Sequence, residues 1–153
     1  MRQYADFLLE SNHIEGIDST SDQEIQLAQA FMTLDIIDIA ALEHVVDVFT
    51  KGGGVLRDKP NMNVRVGGYI PPRGGPQIRD KLYEILQDAQ FGSWVPHAIH
   101  LRYEQLHPFT DGNGRSGRLL WLWMHDGQMS RGFLHQFYYD ALAYSTLGSR
   151  GDE

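Results

Sequence analysis

Between His107 and Arg118 the chain reads His-Pro-Phe-Thr-Asp-Gly-Asn-Gly-Arg-Ser-Gly-Arg. The stretch combines a proton acceptor, a carboxylate, an Asn between two glycines and two arginines. An imidazole with an ordinary pKa of about 6.5 can accept a proton near neutral pH, as a transfer to a hydroxyl requires. Pro108 pushes His107 away from helical geometry and ends a helix there, and Phe109 can bury its ring and anchor the loop. Gly112 and Gly114 permit backbone angles that other residues resist, and they let a ligand approach the main chain. Successive N–H groups around Asn113, at a helix start, make an anion nest with the helix dipole behind it. Arg115 and Arg118 are one helical turn apart and reach the same side, each with a planar fork suited to phosphate. Asp111, within reach of such phosphates, could hold Mg²⁺, a hard cation that prefers carboxylate and phosphate oxygens. Each residue alone has an innocent structural account, but the concentration of them does not. Together they can hold a nucleotide polyphosphate and move part of it.

The elements that must position this stretch read as mostly helical. An amphipathic segment runs from Gln3 to Asn12, with Tyr4, Phe7 and Leu8 on one side. Ser19 to Asp22 offers caps for a second helix, with Ile25, Ala28, Met32 and Phe31 inward. Asp35 reads as the cap of a third, in which Ile39, Leu42, Val46 and Phe49 follow at helical spacing, and Gly52-Gly53-Gly54 stops it. Residues 63–66 alternate polar and apolar as a strand would. Gly67-Gly68 then permits a tight turn, Tyr69-Ile70 reads as the returning strand, and Pro71-Pro72 confines the hairpin to an edge or flap. Helical patterning resumes at about Gln77 to Gln90, with Ile78, Leu82, Ile85 and Leu86 inward, and again from Pro96 to Leu106. A further helix starts within Gly112 to Arg115 and runs to about Asp126. A last one covers roughly Gly132 to Tyr144, before a loose tail from Gly148. Trp121, Trp123, Phe137, Tyr138 and Tyr139 read as core packing.

Composition narrows the class. The 153 residues suffice for one domain over residues 1–153 with one sizeable core. A net charge of −7 argues against a nucleic-acid partner. Without cysteine there is no disulfide framework, thiol nucleophile or thiolate metal site. No apolar run reaches membrane-spanning length, and the N-terminus lacks a signal-peptide pattern. The expectation is a soluble, cytoplasmic protein that does not associate with membranes.

The stretch from His107 to Arg118 resembles the Fic (filamentation induced by cAMP) family, whose motif is H-P-F-x-[DE]-G-N-G-R-x-x-R. All specified positions match. Residues 63–72 look like the family's flap and residues 100–106 like the helix leading into the motif, so the likeness covers roughly Ser11 to Trp123. It implies an all-α, Fic-type bundle carrying a small β-hairpin flap. The implied activity is transfer of AMP from ATP to a Ser, Thr or Tyr hydroxyl of a target protein. By the same likeness His107 deprotonates that hydroxyl, and Asp111 holds Mg²⁺ between the α- and β-phosphates. Asn113 and the N–H groups of Gly112 and Gly114 cradle the phosphates. Arg115 holds the α/β region, and Arg118 grips the γ-phosphate. The flap at Gly68, Tyr69 and Ile70 pairs with an extended target segment by β-augmentation. Gly114 and Arg115 argue against the family's protein-phosphorylating branch. Relatives often form dimers, which makes a homodimer an expectation too.

Ser11-Asn12-His13-Ile14-Glu15-Gly16 is similar to the family's inhibitory motif [ST]-x-x-x-E-[GN]. Glu15 at the end of an N-terminal helix could pair with Arg118, and a paired Arg118 cannot grip a γ-phosphate. The bland alternative is an ordinary helix end capped by Gly16. Removal of AMP, with Glu15 orienting a water, and transfer of another nucleotide-derived group are further alternatives for the same site. Two rivals come from other classes. His97, His100, Glu104 and His107 share one helical face and could bind zinc in a hydrolase, although the His-Glu-x-x-His arrangement is lacking. A nucleotide-binding regulatory module without catalysis would survive loss of His107.

Overall fold

The residues from Asn113 to Arg118 open a helix that is buried on nearly every side. The computed structural model describes residues 4–92 and 94–127. The helix expected at 132–144, with Phe137, Tyr138 and Tyr139, lies outside them, as does the tail. In order, the described helices are α1 (Ala5–Ile14), α2 (Asp22–Met32), α3 (Ile39–Thr50), α4 (Pro76–Phe91), α5 (Pro96–Leu106) and α6 (Asn113–Met124). The fold is all-α, and α6 is its axis, packed against α1, α2, α3 and α5. Leu119, Leu120, Trp121 and Leu122 are all buried, which suits a helix enclosed by others. Trp121 stacks on Phe7 of α1, with ring centroids 6.5 Å apart. At Gly117 a Cβ would come within 3.0 Å of Tyr103 and Glu104, so this glycine lets α5 lie close against α6. No described helix is long and apolar enough to cross a membrane.

Local chemistry explains most boundaries. The Ser21 hydroxyl accepts from Glu24 N and caps α2. Pro76 starts α4 at the position where a missing N–H costs nothing. The cap of α3 is Asp38, whose carboxylate accepts from Ala41 N at 2.8 Å, and not Asp35. The reason is tertiary. Gln90 of α4 donates to Ile37 O and accepts from Ile37 N, both at 2.9 Å, so Ile37 is held outside the helix.

The two strands expected at residues 63–66 and 69–70 do not form. The turn is closed by a bridge between Val66 and Tyr69, with two N–H···O bonds of 2.9 Å across Gly67-Gly68. A lone two-stranded hairpin is marginal, and Pro71 and Pro72 offer no donors to lengthen it. The legs are tied by side chains instead, one of them Asn63, which accepts from Gly74 N at 3.0 Å. An unforeseen extended segment lies elsewhere. Residues 55–57 run antiparallel to 108–110, through a Leu56–Phe109 bridge, Arg57 N donating to Pro108 O and Thr110 N donating to Val55 O.

Candidate active site

His107 is the C-cap of α5 and takes a left-handed conformation, φ 51°, which is uncommon for a residue with a side chain. Its imidazole pKa is pushed down to about 4, chiefly by burial and next by the Arg57 charge; a hydrogen bond with the Glu104 main chain, Glu15 and Asp111 oppose this. The side chain is therefore neutral at physiological pH and able to accept a proton. Phe109, fully buried, anchors the loop that follows.

Asn113 opens α6. Its side-chain amide faces the Phe109 main chain, donating to Phe109 O at 2.8 Å and accepting from Phe109 N at 2.9 Å. The first bond within α6 is Ser116 N to Gly112 O, so the N–H groups of Asn113, Gly114 and Arg115 belong to the open end of the helix. Gly112 stands just before them with φ 80°, and a Cβ there would press within 2.9 Å of Thr50. Replacing Asn113 with Ala should cost about 1–3 kcal/mol for each buried Phe109 group left unpaired. Urea denaturation checks this, with Asn113→Asp, which keeps an acceptor, intermediate.

Asp111 is exposed, and one of its oxygens accepts from Gly112 N at 2.8 Å. A cleft-lining carboxylate beside an open helix end fits Mg²⁺, which binds through one or two carboxylates plus substrate phosphates. Arg115 donates to Phe49 O at 2.9 Å, and its guanidinium sits 5.4 Å from the Phe49 ring.

His107, Thr110, Asp111, Gly112, Asn113, Gly114 and Arg115 line one cleft of about 370 Å³, together with Glu15 and Ile17 from the N-terminal segment. Arg118 does not line it. Its Nε donates to Ser11 Oγ at 2.7 Å, and its Nη2 donates to Ser11 O at 3.0 Å and to Glu15 Oε2 at 2.7 Å. Glu15 is the C-cap of α1, and Gly16 follows in the left-handed region at φ 77°. The Glu15 carboxylate lies so close to the first turn of α6 that a Cβ at Gly114 would meet Oε2 at 2.6 Å. A carboxylate in that place interacts favourably with the helix dipole, as a phosphate would.

The flap stands apart from the cleft. The Tyr69 phenol donates to Gln105 O at 3.0 Å, which braces the turn against α5. Gly68 and Ile70 are exposed. The stripe of histidines does not form a metal site. His97 turns toward Trp121, ring centroids 6.3 Å apart, and His100 Nε2 lies 3.7 Å from Glu104 Oε1. Among the described residues no three His, Asp or Glu side chains gather to hold a metal ion. Burial pushes Glu104 up to about 7, opposed by Arg118 and assisted by Glu15, and it pushes His100 down to about 3. Glu104 stands out in the sequence only as part of the zinc stripe, and the buried Arg57 does not stand out at all. Arg57 carries no local motif that could have revealed it.

Comparison with known proteins agrees with this geometry. The Fic/DOC family model matches residues 33–125, which begin after the segment carrying Ser11, Glu15 and Gly16. A protein of Culex quinquefasciatus named protein adenylyltransferase Fic is 34% identical over 124 residues, covering 72% of this chain and 23% of that protein. The proteins of the same name from Aedes aegypti and Drosophila mojavensis are 32% and 34% identical over 130 and 122 residues, with the same coverage. This chain thus spans about a quarter of the length of the curated relatives it matches. With His107 and residues 110–115 of the motif lining one cleft and the family match spanning α3 to α6, the chain belongs to the Fic/DOC family.

Proposed function

We propose that this protein is an adenylyltransferase that moves AMP from ATP to a Ser, Thr or Tyr hydroxyl of a target protein, and that Glu15 holds it in an inhibited state. The observation that carries the reading is the cleft itself, in which a neutral His107, the Asp111 carboxylate and the open end of α6 face one space. The names of the three relatives point the same way. In the proposed reaction the hydroxyl oxygen attacks the α-phosphorus and its proton passes to His107. The bond from that phosphorus to the bridging oxygen breaks, and pyrophosphate leaves. Main-chain N–H groups of α6 and the Arg115 guanidinium hold phosphate oxygens. Mg²⁺ on Asp111 would neutralise phosphate charge when bound.

The inhibited state is supported by the ion pair between Arg118 and Glu15. While that pair stands, Arg118 is turned from the cleft, and Glu15 occupies the position where a terminal phosphate would meet the helix end. Glu15 and His107 line the same cleft, which also favours a second reading in which Glu15 orients a water to remove AMP from a modified protein. The deciding experiment is intact-mass measurement of the Glu15→Gly chain and a protein lysate after incubation with ATP and Mg²⁺. A gain of one AMP on a protein supports transfer; no gain on any protein contradicts it. Loss of AMP from a pre-modified protein, given by the unmodified chain and not by Glu15→Gly, identifies the removal activity.

The pH dependence follows from His107. Because the base must be neutral, activity is lost as pH falls through its pKa, which burial and Arg57 push down to about 4. The acid limb of kcat/KM, which reports the free enzyme, should therefore lie near pH 4. A limb near the ordinary value of about 6.5 would show that the imidazole titrates as an exposed one.

A further inference from the structure

Arg57 is fully buried at 0% exposure, and it does not line the cleft. Among the described residues, every hydrogen bond its side chain makes goes to a carbonyl oxygen. Nε donates to His107 O at 2.7 Å and Nη2 to Leu106 O at 2.9 Å. Nη1 donates to Met62 O and to Pro72 O, each at 2.9 Å. Burial lowers its pKa from the ordinary value, a sign of the cost of keeping this charge out of water. An apolar side chain of similar volume would avoid that cost. It could not, however, join those carbonyls to one another.

The partners fall into two groups. Leu106 and His107 form the last turn of α5, whose carbonyls lack donors within the helix, and Pro108 has no N–H to offer. A cation there also complements the helix dipole. Met62 and Pro72 stand on the two legs of the flap, with the turn at Gly67-Gly68 between them. One planar group thus joins the base of the flap to the main chain of His107. The Arg57 main chain lies along the same loop, its N–H donating to Pro108 O at 2.9 Å.

We propose that Arg57 is a positioning residue that sets the register between the flap and His107, so that a hydroxyl presented on the flap arrives at the imidazole. The inference rests on the adenylyltransferase reading, and it adds a link within the chain from target holding to proton transfer. The planar fork is essential to it. Lysine carries the same charge, but its donors radiate from a single nitrogen and cannot span both groups of carbonyls. The Arg57 charge also helps to keep His107 neutral, which ties the residue to the base a second time.

The test is Arg57→Lys in the Glu15→Gly chain. Expected are unchanged affinity for ATP with Mg²⁺ by titration calorimetry and AMP incorporation lower by about a hundredfold, the cost of misplacing reacting groups by about 1 Å. Amide hydrogen exchange should quicken in residues 62–72 and 106–110 together. Unchanged incorporation overturns the proposal, as does a loss of ATP affinity as large as the loss of incorporation, or faster exchange in only one of the two segments. If the Glu15→Gly parent itself incorporates no AMP, the adenylyltransferase reading fails separately, and exchange alone decides whether the two segments are linked. Should Arg57→Lys not fold, Asn63→Ala tests the link from the flap side. It removes the bond between Asn63 and Gly74 across the flap legs, and Asn63 does not line the cleft. The expected result is a shift of the His107 imidazole resonance in the NMR spectrum. An unmoved His107 with a loosened flap overturns the proposal.

Discussion

Glu15→Gly should raise AMP incorporation by about a hundredfold over the unmodified chain, on the scale of misplacing reacting groups by about 1 Å. The carboxylate takes one of three hydrogen bonds from Arg118, and it stands between that guanidinium and the cleft. Removing it frees an Nη2 donor and opens the helix end to a terminal phosphate. Ser11 would still hold the Nε side, so Arg118 remains close to the site. Ser11→Ala removes a hydrogen bond but leaves the carboxylate in place, and it should raise incorporation far less. Adding Arg118→Ala to the Glu15→Gly chain should erase the gain, since the freed arginine is the proposed grip on the terminal phosphate. Incorporation of labelled AMP, measured for the four chains side by side, checks the order. Equal incorporation by the unmodified chain and Glu15→Gly would sink the inhibitory role.

His107→Ala in the Glu15→Gly chain should lower transfer by about a thousandfold, within the usual range for a general base. ATP binding should survive, because the proposed phosphate contacts come from the start of α6 and from Arg115 and Arg118, which the substitution leaves alone. His107 also caps α5 with φ 51°, so part of any stability change would be conformational. His107→Asn separates the two effects, since Asn tolerates the left-handed region without supplying a base. Calorimetric ATP affinity and single-turnover AMP transfer, measured together, give the answer. A chain that keeps full transfer without His107 would remove the proposed base, whereas loss of ATP binding along with transfer would show a damaged cleft.

Much of the site was legible because it is contiguous. From His107 to Arg118, covalent connectivity and backbone preference suffice to predict a helix end, a proline break, a glycine turn and a new helix start. The structure has all four, and the cleft residues follow from them. The helices were legible too, since apolar spacing marks the buried faces of α2, α3 and α4. Side-chain direction was less so. Asn113 at a helix start can face a ligand or its own loop, and only the packing of Phe109 in the core turned its amide inward. The flap erred in the opposite sense. Alternation at residues 63–66 is a strand signal, but a strand needs partners, and here the neighbouring segments offer side-chain ties instead.

The sequence by itself determined the chemical inventory and the glycine turn into the open start of α6, because neighbouring residues at fixed spacing have few ways to arrange their main chain. It also named Glu15 and Arg118 as a candidate pair through a resemblance. Tertiary structure alone decided that the two meet, across 103 positions of chain, because α1 packs on the same helix that carries Arg118. It likewise decided that Arg57 would be buried between flap and loop. Contacts between distant segments depend on which faces the core brings together, and the core is a property of the whole chain.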